Sequence, residues 1–386
     1  MSVGIDKIGF YVPAQYIALD VIAEKRGIDP EKYSKGIGQE KISMAAHDED
    51  VVTMAAEAAA SIISEEDKNS IETVLFATET GVDQSKAAGI YMHKLLDLPT
   101  NCRVIELKQA CYASTAALQI ACALVARQPD KKVLVIASDI SRYDLETPGE
   151  ATQGAGAVAM LISSNPKIMS IEPVSGLYCE DVMDFWRPNY RETPLYDGKF
   201  SAVKYLQSLG HCWENYKSKD GQDFSKFDQF CFHLPFTRMA EKAFNHLSNA
   251  NERAVEQHKI ENGMIYNRVV GNCYNASLYL GLISTLENTA KDLSNQLIAL
   301  FSYGSGATAE FYAGTIQEGY KSNLSKEHHK NLLKNRTALS YEEYIQYWNR
   351  IDLTEQEDYI PEIRSNSRFQ LTGIKNHKRI YKDTAS

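Results

Sequence analysis

Two stretches of this chain, ACYASTAALQIACALVA (110–126) and YNASLYLGLISTL (274–286), are apolar nearly all the way round a helix. In the first only Ser114, Thr115 and Gln119 interrupt the apolar surface, and in the second the interruptions are few and mostly small. A helix with no polar face has to be covered on every side. Two such helices in one chain call for a buried helical layer between two sheets, with further helices outside them.

The flanking sequence supplies the strands. Short β-branched runs bounded by turn residues recur at IETVLFATE (71–79), CRVIEL (102–107), KVLVIASD (132–139) and GAVAMLISS (156–164). Helical patterns lie between them, such as 51–63, where Val52, Ala55, Ala56, Ala59 and Ile62 share one face and Asp50 stands ready as N-cap. Alternating strands and helices imply an α/β fold. The second half replays the order with DQFCFH (228–233), the apolar helix within 269–288, NQLIALFSYG (295–304) and ATAEFYAGTI (307–316). The two copies align strand for strand and helix for helix, which reads as an internal duplication with halves 1–165 and 166–386.

Composition narrows the function. A net charge of -9 offers no general attraction for nucleic acid or for an anionic membrane. The amino terminus lacks a basic segment followed by a long apolar one, and Gln119 and Ser284 break the longest apolar runs before they reach about 18 residues. A cytoplasmic protein is expected. Seven cysteines form an odd set without a C-x-x-C pair, so reduced thiols are expected rather than a disulfide framework or a structural zinc site. The polar tail from about 320, including KSNLSKEHHKNLLKN and the acidic IDLTEQEDYIPEI, reads as surface helices and an edge extension with solvated charge runs.

Within KQACYAST (108–115), Cys111 falls where a strand ends and the first apolar helix begins. Placement in the first turn would expose its sulfur to the positive end of the helix dipole and favour the thiolate. A buried, unreactive cysteine is the ordinary alternative, and Cys122, inside the same helix, fits that description. The company at other strand ends favours chemistry. Glu79 ends one strand, His233 ends another, and Asn272 sits at the start of the second apolar helix, taken as the position Cys111 holds in the first copy. In a duplicated α/β fold such points converge on one cleft. Two glycine loops, TQGAGA (152–157) and YGSGA (303–307), could bring backbone N–H groups to an oxyanion, and neither is a dinucleotide or phosphate-loop fingerprint.

With these residues in view the chain resembles the 3-hydroxy-3-methylglutaryl-coenzyme A synthases of bacterial type, within the thiolase superfamily. The likeness runs through GIDKIGFYVP, LKQACYAST, TQGAGAVAML, DVMDFWRP, FHLPFTRMAEKA, VVGNCYNASLYLGLISTLEN and LFSYGSGA. It implies a duplicated thiolase-like fold with five layers, α/β/α/β/α, and a homodimer. It also implies that Cys111 is acetylated by acetyl-coenzyme A, that Glu79 is the general acid/base, and that His233 meets the carbonyl of acetoacetyl-coenzyme A. Asn272 matches a substrate-binding asparagine. Thr152, Ser201 and Ser305 fall at ligand-contact positions, and Arg238 and Lys242 at basic positions near coenzyme A. Acetyl-coenzyme A and acetoacetyl-coenzyme A are then substrates, and neither a metal nor another cofactor is expected.

Four rivals are distinguishable. A thiolase would carry a second catalytic cysteine in the late glycine loop, and YGSGATAE has none; a ketoacyl synthase would share Cys, His and Asn without needing Glu79. A polyketide β-branching homologue would run the same chemistry on a β-ketoacyl acyl carrier protein, and Gln109 resembles that group, whereas DFWRP and TPGEATQGAGA resemble the mevalonate group. A catalytically silent binding or scaffold protein would not need Cys111, Glu79 and His233 together.

Overall fold

The computed structural model describes residues 2–349 and 358–385. Its centre is a nine-stranded sheet built from β1 (Val3–Tyr11), β2 (Ile71–Ala77), β3 (Arg103–Leu107), β4 (Lys132–Ser141), β5 (Gly154–Ser164), β6 (Met169–Cys179), β7 (Phe227–Phe232), β8 (Leu297–Gly304) and β9 (Thr308–Ile316). The order across the sheet is β7-β8-β9-β6-β1-β5-β4-β2-β3. Read outward from the β1–β6 seam, the order repeats, with β1, β5, β4 and β2 on one side and β6, β9, β8 and β7 on the other. The inner pairs are antiparallel on both sides, and β2–β4 and β7–β8 are parallel on both.

Five layers follow from which face each helix covers. Helices α3 (Ala113–Arg127) and α6 (Ser277–Asn288) form the middle layer, where Ala117, Leu118, Leu282 and Ile283 share one core with Val135 and Met160 on one sheet half and Ile298 and Leu300 on the other. Outside the first half lie α1 (Val51–Ala60) and α2 (Ala88–Leu95), packed on Val74, Phe76, Leu134 and Ile136. Outside the second lie α4 (Gly198–Ser218) and α5 (Met239–Ala250), packed on Phe230, Phe301 and Phe311. Asp50 caps α1 as expected, accepting from the N–H groups of Val52 and Thr53, while Thr53 Oγ1 accepts from Asp50 N. This reciprocal arrangement satisfies donors that a helix start otherwise leaves open.

Four expectations need correction. The copies do not match strand for strand, because the two sheet halves contribute five strands and four; where a counterpart of β3 would fall, residues 257–264 form short 3₁₀ turns. The halves are also one continuous sheet, since Gly4 and Ile5 of β1 pair with Ser170 and Met169 of β6. Among the described residues one helical stretch, Ala110–Arg127, does reach spanning length and apolarity. It coincides with α3, whose apolarity is used between the two sheet halves.

The tail, finally, is more than a surface addition. His329 of α7 (Lys326–Lys334) is fully buried, its Nδ1 2.7 Å from Glu287 Oε1 and its Nε2 accepting from Phe10 N. Tyr344 of α8 (Tyr341–Trp348) is buried as well and donates to Glu150 Oε1. The expected edge extension is present as Thr337–Ala338 pairing with Gln15–Tyr16. Residues 351–357 of the acidic stretch, with Arg350 before them, lie outside the described residues. All seven cysteines are free.

Candidate active site

The segment entering α3 is held in an unusual path. Ala110 adopts φ 44°, a left-handed conformation that side chains disfavour, and Tyr112 N bonds back to Gln109 O. The turn delivers Cys111 just before the N-cap, Tyr112, rather than inside the first helical turn. The late glycine loop presses on it from the other side. A Cβ on Gly304 would sit 2.5 Å from Gln109 O and 2.7 Å from Tyr112 N, so only glycine admits this approach.

Cys111 Sγ donates to Glu79 Oε1 at 3.1 Å. Glu79 lies two residues beyond β2, in a turn fixed by a carboxylate that sequence reading missed. Asp139, fully buried on β4, accepts at Oδ1 from Thr78 Oγ1, Glu79 N, Thr80 N and Thr80 Oγ1. Its Oδ2 accepts from the backbone and side-chain N–H groups of Asn275. The signal was available: an acid closing the apolar run KVLVIASD at the same end of the sheet as Glu79.

Electrostatics reverse one expectation. Burial, with the Asp139 carboxylate nearby, pushes Glu79 up to about 8. Burial and the same acids push the Cys111 thiol well above its ordinary value, so the helix terminus does not hold a ready-made thiolate here. The pair is an acid–base couple in which Glu79 is the acceptor within reach of the thiol proton.

On its other side Cys111 lines a cavity of about 250 Å³ together with Thr152, Ser201, His233, Asn272 and Ser305. Rings of Tyr143, Phe185, Tyr196 and Tyr274 enclose the sulfur, with Tyr143 edge-on to Tyr196 at 5.2 Å. His233, 2% exposed, follows β7 directly; burial lowers its imidazole to about 3, so it stays neutral through the physiological range. Its Nδ1 has no hydrogen-bond partner among the described residues. Asn272 Oδ1 accepts from Tyr274 N and Ser277 Oγ, which fixes the amide's orientation. Ser201 Oγ donates to buried Asp184, which also takes bonds from Tyr303 OH and Gly306 N and so ties α4 to the late glycine loop.

Two placements differ from expectation. TQGAGA is not an open loop, because Gly154 N bonds Ser141 Oγ and the glycines run into β5. Its contribution is space: Gly154 abuts Gly271, where φ is 95° and an added Cβ would sit 1.9 Å from Gln153 O, so there is no room for a side chain. Asn272, in turn, is not the counterpart of Cys111. In the turn entering α6 the positive φ falls on Tyr274 (43°) and Ala276 N bonds Cys273 O, which aligns Ala110 with Tyr274 and Cys111 with Asn275.

Arg238 and Lys242 stand at the start of α5, beside the cavity wall formed by Phe236 and Met239 and not in it. Arg238 Nε donates to Glu241 at 2.7 Å and its Nη1 to Lys35 O at 2.6 Å, while Lys242 Nζ lies over the Phe236 ring at 5.2 Å. Among the described residues no group of three or more His, Cys, Asp or Glu side chains could hold a metal ion.

Comparison with known proteins agrees across sequence and structure. The family profile described as hydroxymethylglutaryl-coenzyme A synthase N terminal matches residues 1–167, and its C-terminal companion matches 169–259 and 249–382. A hydroxymethylglutaryl-CoA synthase of Enterococcus faecalis is 43% identical over 99% of this chain and 100% of its own. A polyketide biosynthesis 3-hydroxy-3-methylglutaryl-ACP synthase of Bacillus subtilis is 33% identical over 89% of this chain and 87% of its own. A crystal structure of an HMG-CoA synthase complexed with CoA superposes with a TM-score of 0.95 at 41% identity, covering 99% of this chain and 100% of that one.

Proposed function

The chain belongs to the hydroxymethylglutaryl-coenzyme A synthase family, and from that membership we propose the following division of labour among its site residues. The reaction itself is that of the family: acetyl-CoA, acetoacetyl-CoA and water give 3-hydroxy-3-methylglutaryl-CoA and free CoA, a carbon–carbon bond-forming acyl transfer of the mevalonate pathway. The observation that carries the residue assignment is the 3.1 Å contact between Cys111 and Glu79 at the wall of a cavity that also holds His233 and Asn272.

The Cys111 sulfur, its proton passed to Glu79, attacks the acetyl thioester; coenzyme A leaves as its thiol, taking that proton back from Glu79, and acetyl-Cys111 remains beside a carboxylate. Glu79 then removes a proton from the acetyl methyl, and the resulting carbon nucleophile adds to C3 of acetoacetyl-CoA. Neutral His233 donates a hydrogen bond to that carbonyl as it becomes an alkoxide, the proton that Glu79 took from the methyl passes to the alkoxide to give the hydroxyl, and Asn272 orients the acceptor. Water cleaves the cysteine thioester, restoring the thiol and leaving the new carboxylate on the product. Ser305, in the loop that Gly304 brings against Tyr112, stands where a backbone N–H can meet the oxyanion. Thr152 and Ser201 complete the wall. Each acyl and proton transfer thus has a group of this chain, and the scheme calls on no metal or further cofactor.

We assign the halves to 1–165 and 166–386, the protein to the cytoplasm, and the assembly to a homodimer. The open edge strand β3, with Ile105 43% exposed, supports self-association through that edge. Coenzyme A is the acceptor's carrier. Gln109, the residue that resembled the acyl carrier protein group, has a local explanation, its Nε2 lying 3.4 Å from Ser305 O of the glycine loop. Parallel assays with acetoacetyl-CoA and acetoacetyl-acyl carrier protein test this: a higher kcat/KM on the coenzyme A substrate is expected, and the reverse would overturn it.

A further inference from the structure

Asn275 has no place in the scheme above, yet among the described residues it is the one bonded both to the network behind Glu79 and to the helix behind Cys111. It is fully buried and makes four hydrogen bonds. Its backbone N and side-chain Nδ2 donate to Asp139 Oδ2 at 3.1 and 2.9 Å. Its Oδ1 accepts from Ser114 N at 3.0 Å, and its carbonyl accepts from Ser114 Oγ at 2.9 Å. Ser114 is the second residue of α3, so the amide N–H it offers is one that a helix start leaves without an internal partner. Asn275 therefore caps α3 from across the interface between the two halves.

We infer that Asn275 is a positioning residue for the reaction: by clamping Asp139 with one side of its amide and the start of α3 with the other, it sets the distance between the Glu79 carboxylate and the Cys111 sulfur. The reasoning is mechanical. The Glu79 turn hangs on Asp139 Oδ1 and Cys111 leads into α3, so the two partners of the 3.1 Å contact are carried by different segments. Asn275 joins those segments with short bonds that leave little play. Asparagine suits the task because one planar group donates and accepts at once. A hydroxyl can also do both, whereas alanine does neither, and aspartate would set a second carboxylate against Asp139.

The inference rests on the assignment of Cys111 and Glu79 above, and its test is arranged so that the two can fail separately. Wild-type protein and the variants Asn275→Ala, Asn275→Thr and Asn275→Asp are compared in synthase assays. A substrate-free measurement runs alongside: the pH dependence of Cys111 alkylation by iodoacetamide, followed by mass spectrometry. The groups that set this profile are Cys111, Glu79, Asp139, Asp184, Arg187, Tyr143 and Tyr274. Asn275→Ala is expected to lower kcat about 10–100-fold with KM within a few fold, because small misplacements of reacting groups carry penalties of that order. Asn275→Thr should retain kcat within about threefold and keep the wild-type profile. Asn275→Asp should move the alkylation profile to higher pH by about one unit, since added negative charge holds the couple's protons more tightly.

A folded Asn275→Ala protein with wild-type kcat and profile overturns the inference. Should that variant fail to fold, Asn275→Thr decides alone, because a 100-fold loss in kcat from a folded threonine variant is equally fatal. An inactive wild type would instead strike the functional reading, and the alkylation profiles would still judge Asn275.

Discussion

The turn that enters α3 and the turn that enters α6 are nearly the same piece of backbone. Each has a residue at φ of 43–44°, each closes with one backbone bond across three residues, and each then starts an apolar helix in the middle layer. The side chains that follow the positive φ have opposite fates. Asn275 is saturated by bonds to Asp139 and Ser114, whereas Cys111 has a single partner, Glu79, and otherwise faces a cavity lined by aromatic rings. A duplicated scaffold can keep one copy of a strained turn rigid and leave the other reactive, and the rigid copy braces the reactive one. Glu79 and Cys111 come from the first half and His233 and Asn272 from the second, so the candidate site sits between the halves rather than within either.

The largest effect that would break this contrast is at the reactive turn. Cys111→Ala should abolish both the acetyl adduct and condensation, because among the described residues no other thiol lines the cavity. Cys122→Ala, one site inside the same helix, should leave the adduct intact and affect stability alone, as burial pushes that thiol up to about 12 and keeps it protonated. Mass spectrometry after mixing with acetyl-CoA checks both, and an adduct lost in folded Cys122→Ala would move the nucleophile.

Next in size is Glu79→Gln. Removing the base should cost at least the 10²–10⁴-fold that general base catalysis typically contributes, and acetyl-enzyme should accumulate, because proton removal from the methyl has no substitute. Acetylation has one: the thiolate fraction, which grows about tenfold per pH unit below the thiol's pKa. In the wild type, Glu79 raised to about 8 is protonated at lower pH and becomes a base as pH climbs, so kcat/KM should rise through that region. Acetylation of Glu79→Gln should instead keep rising about tenfold per pH unit, without the levelling near 8 that Glu79 gives the wild type. A variant that folds yet neither acetylates nor condenses would place Glu79 before condensation as an indispensable group.

Much of this arrangement was legible in the chain. Apolarity all round 110–126 and 274–286 required a middle layer, and strand-end positions marked Glu79, Cys111 and His233, because hydrophobic pattern and topology decide those features. What escaped depended on register and on close approach. The offset between Asn272 and Asn275 is three residues, set by where a positive φ falls, and single-sequence patterns do not carry φ. The glycines of TQGAGA read as a ligand loop because composition cannot distinguish backbone that meets a ligand from backbone that meets more backbone. Cys111 looked like a lowered thiol because the helix terminus is visible in the sequence, whereas the burial that sets Glu79 and Asp139 against the thiol is not.

The seam itself offers a smaller, sharper test. Gly271→Ala puts a Cβ 1.9 Å from Gln153 O at φ 95°, combining backbone strain of about 1–3 kcal/mol with a clash that must push β5 from Asn272. Gly319→Ala, at φ 71° with open space around it, carries the conformational cost alone, about 1 kcal/mol. Thermal unfolding of the two variants should rank them in that order. Equal shifts would mean that the seam is loose enough to yield, and the bracing between halves would lose its basis.

The smallest effect is expected at the rim, where Arg238 and Lys242 stand beside the cavity rather than in it. The Arg238 guanidinium is already held by Glu241 and by Lys35 O, so an incoming phosphate has to displace an existing ion pair. Exposed pairs of this kind are worth about 0–1 kcal/mol, so the displacement is cheap, and the gain from a phosphate is correspondingly small. Lys242, over the Phe236 ring, keeps its ammonium close to the mouth without an acid partner among the described residues. Replacing both by alanine should therefore raise KM for coenzyme A substrates about two- to tenfold and leave kcat nearly unchanged, since neither group touches the reacting atoms. The increase should shrink as salt rises, because screening weakens exposed charges in the wild type and leaves the double variant little to lose. A KM unchanged at low ionic strength would make the basic pair a solvated face, and phosphate recognition would have to be sought elsewhere along the cavity mouth.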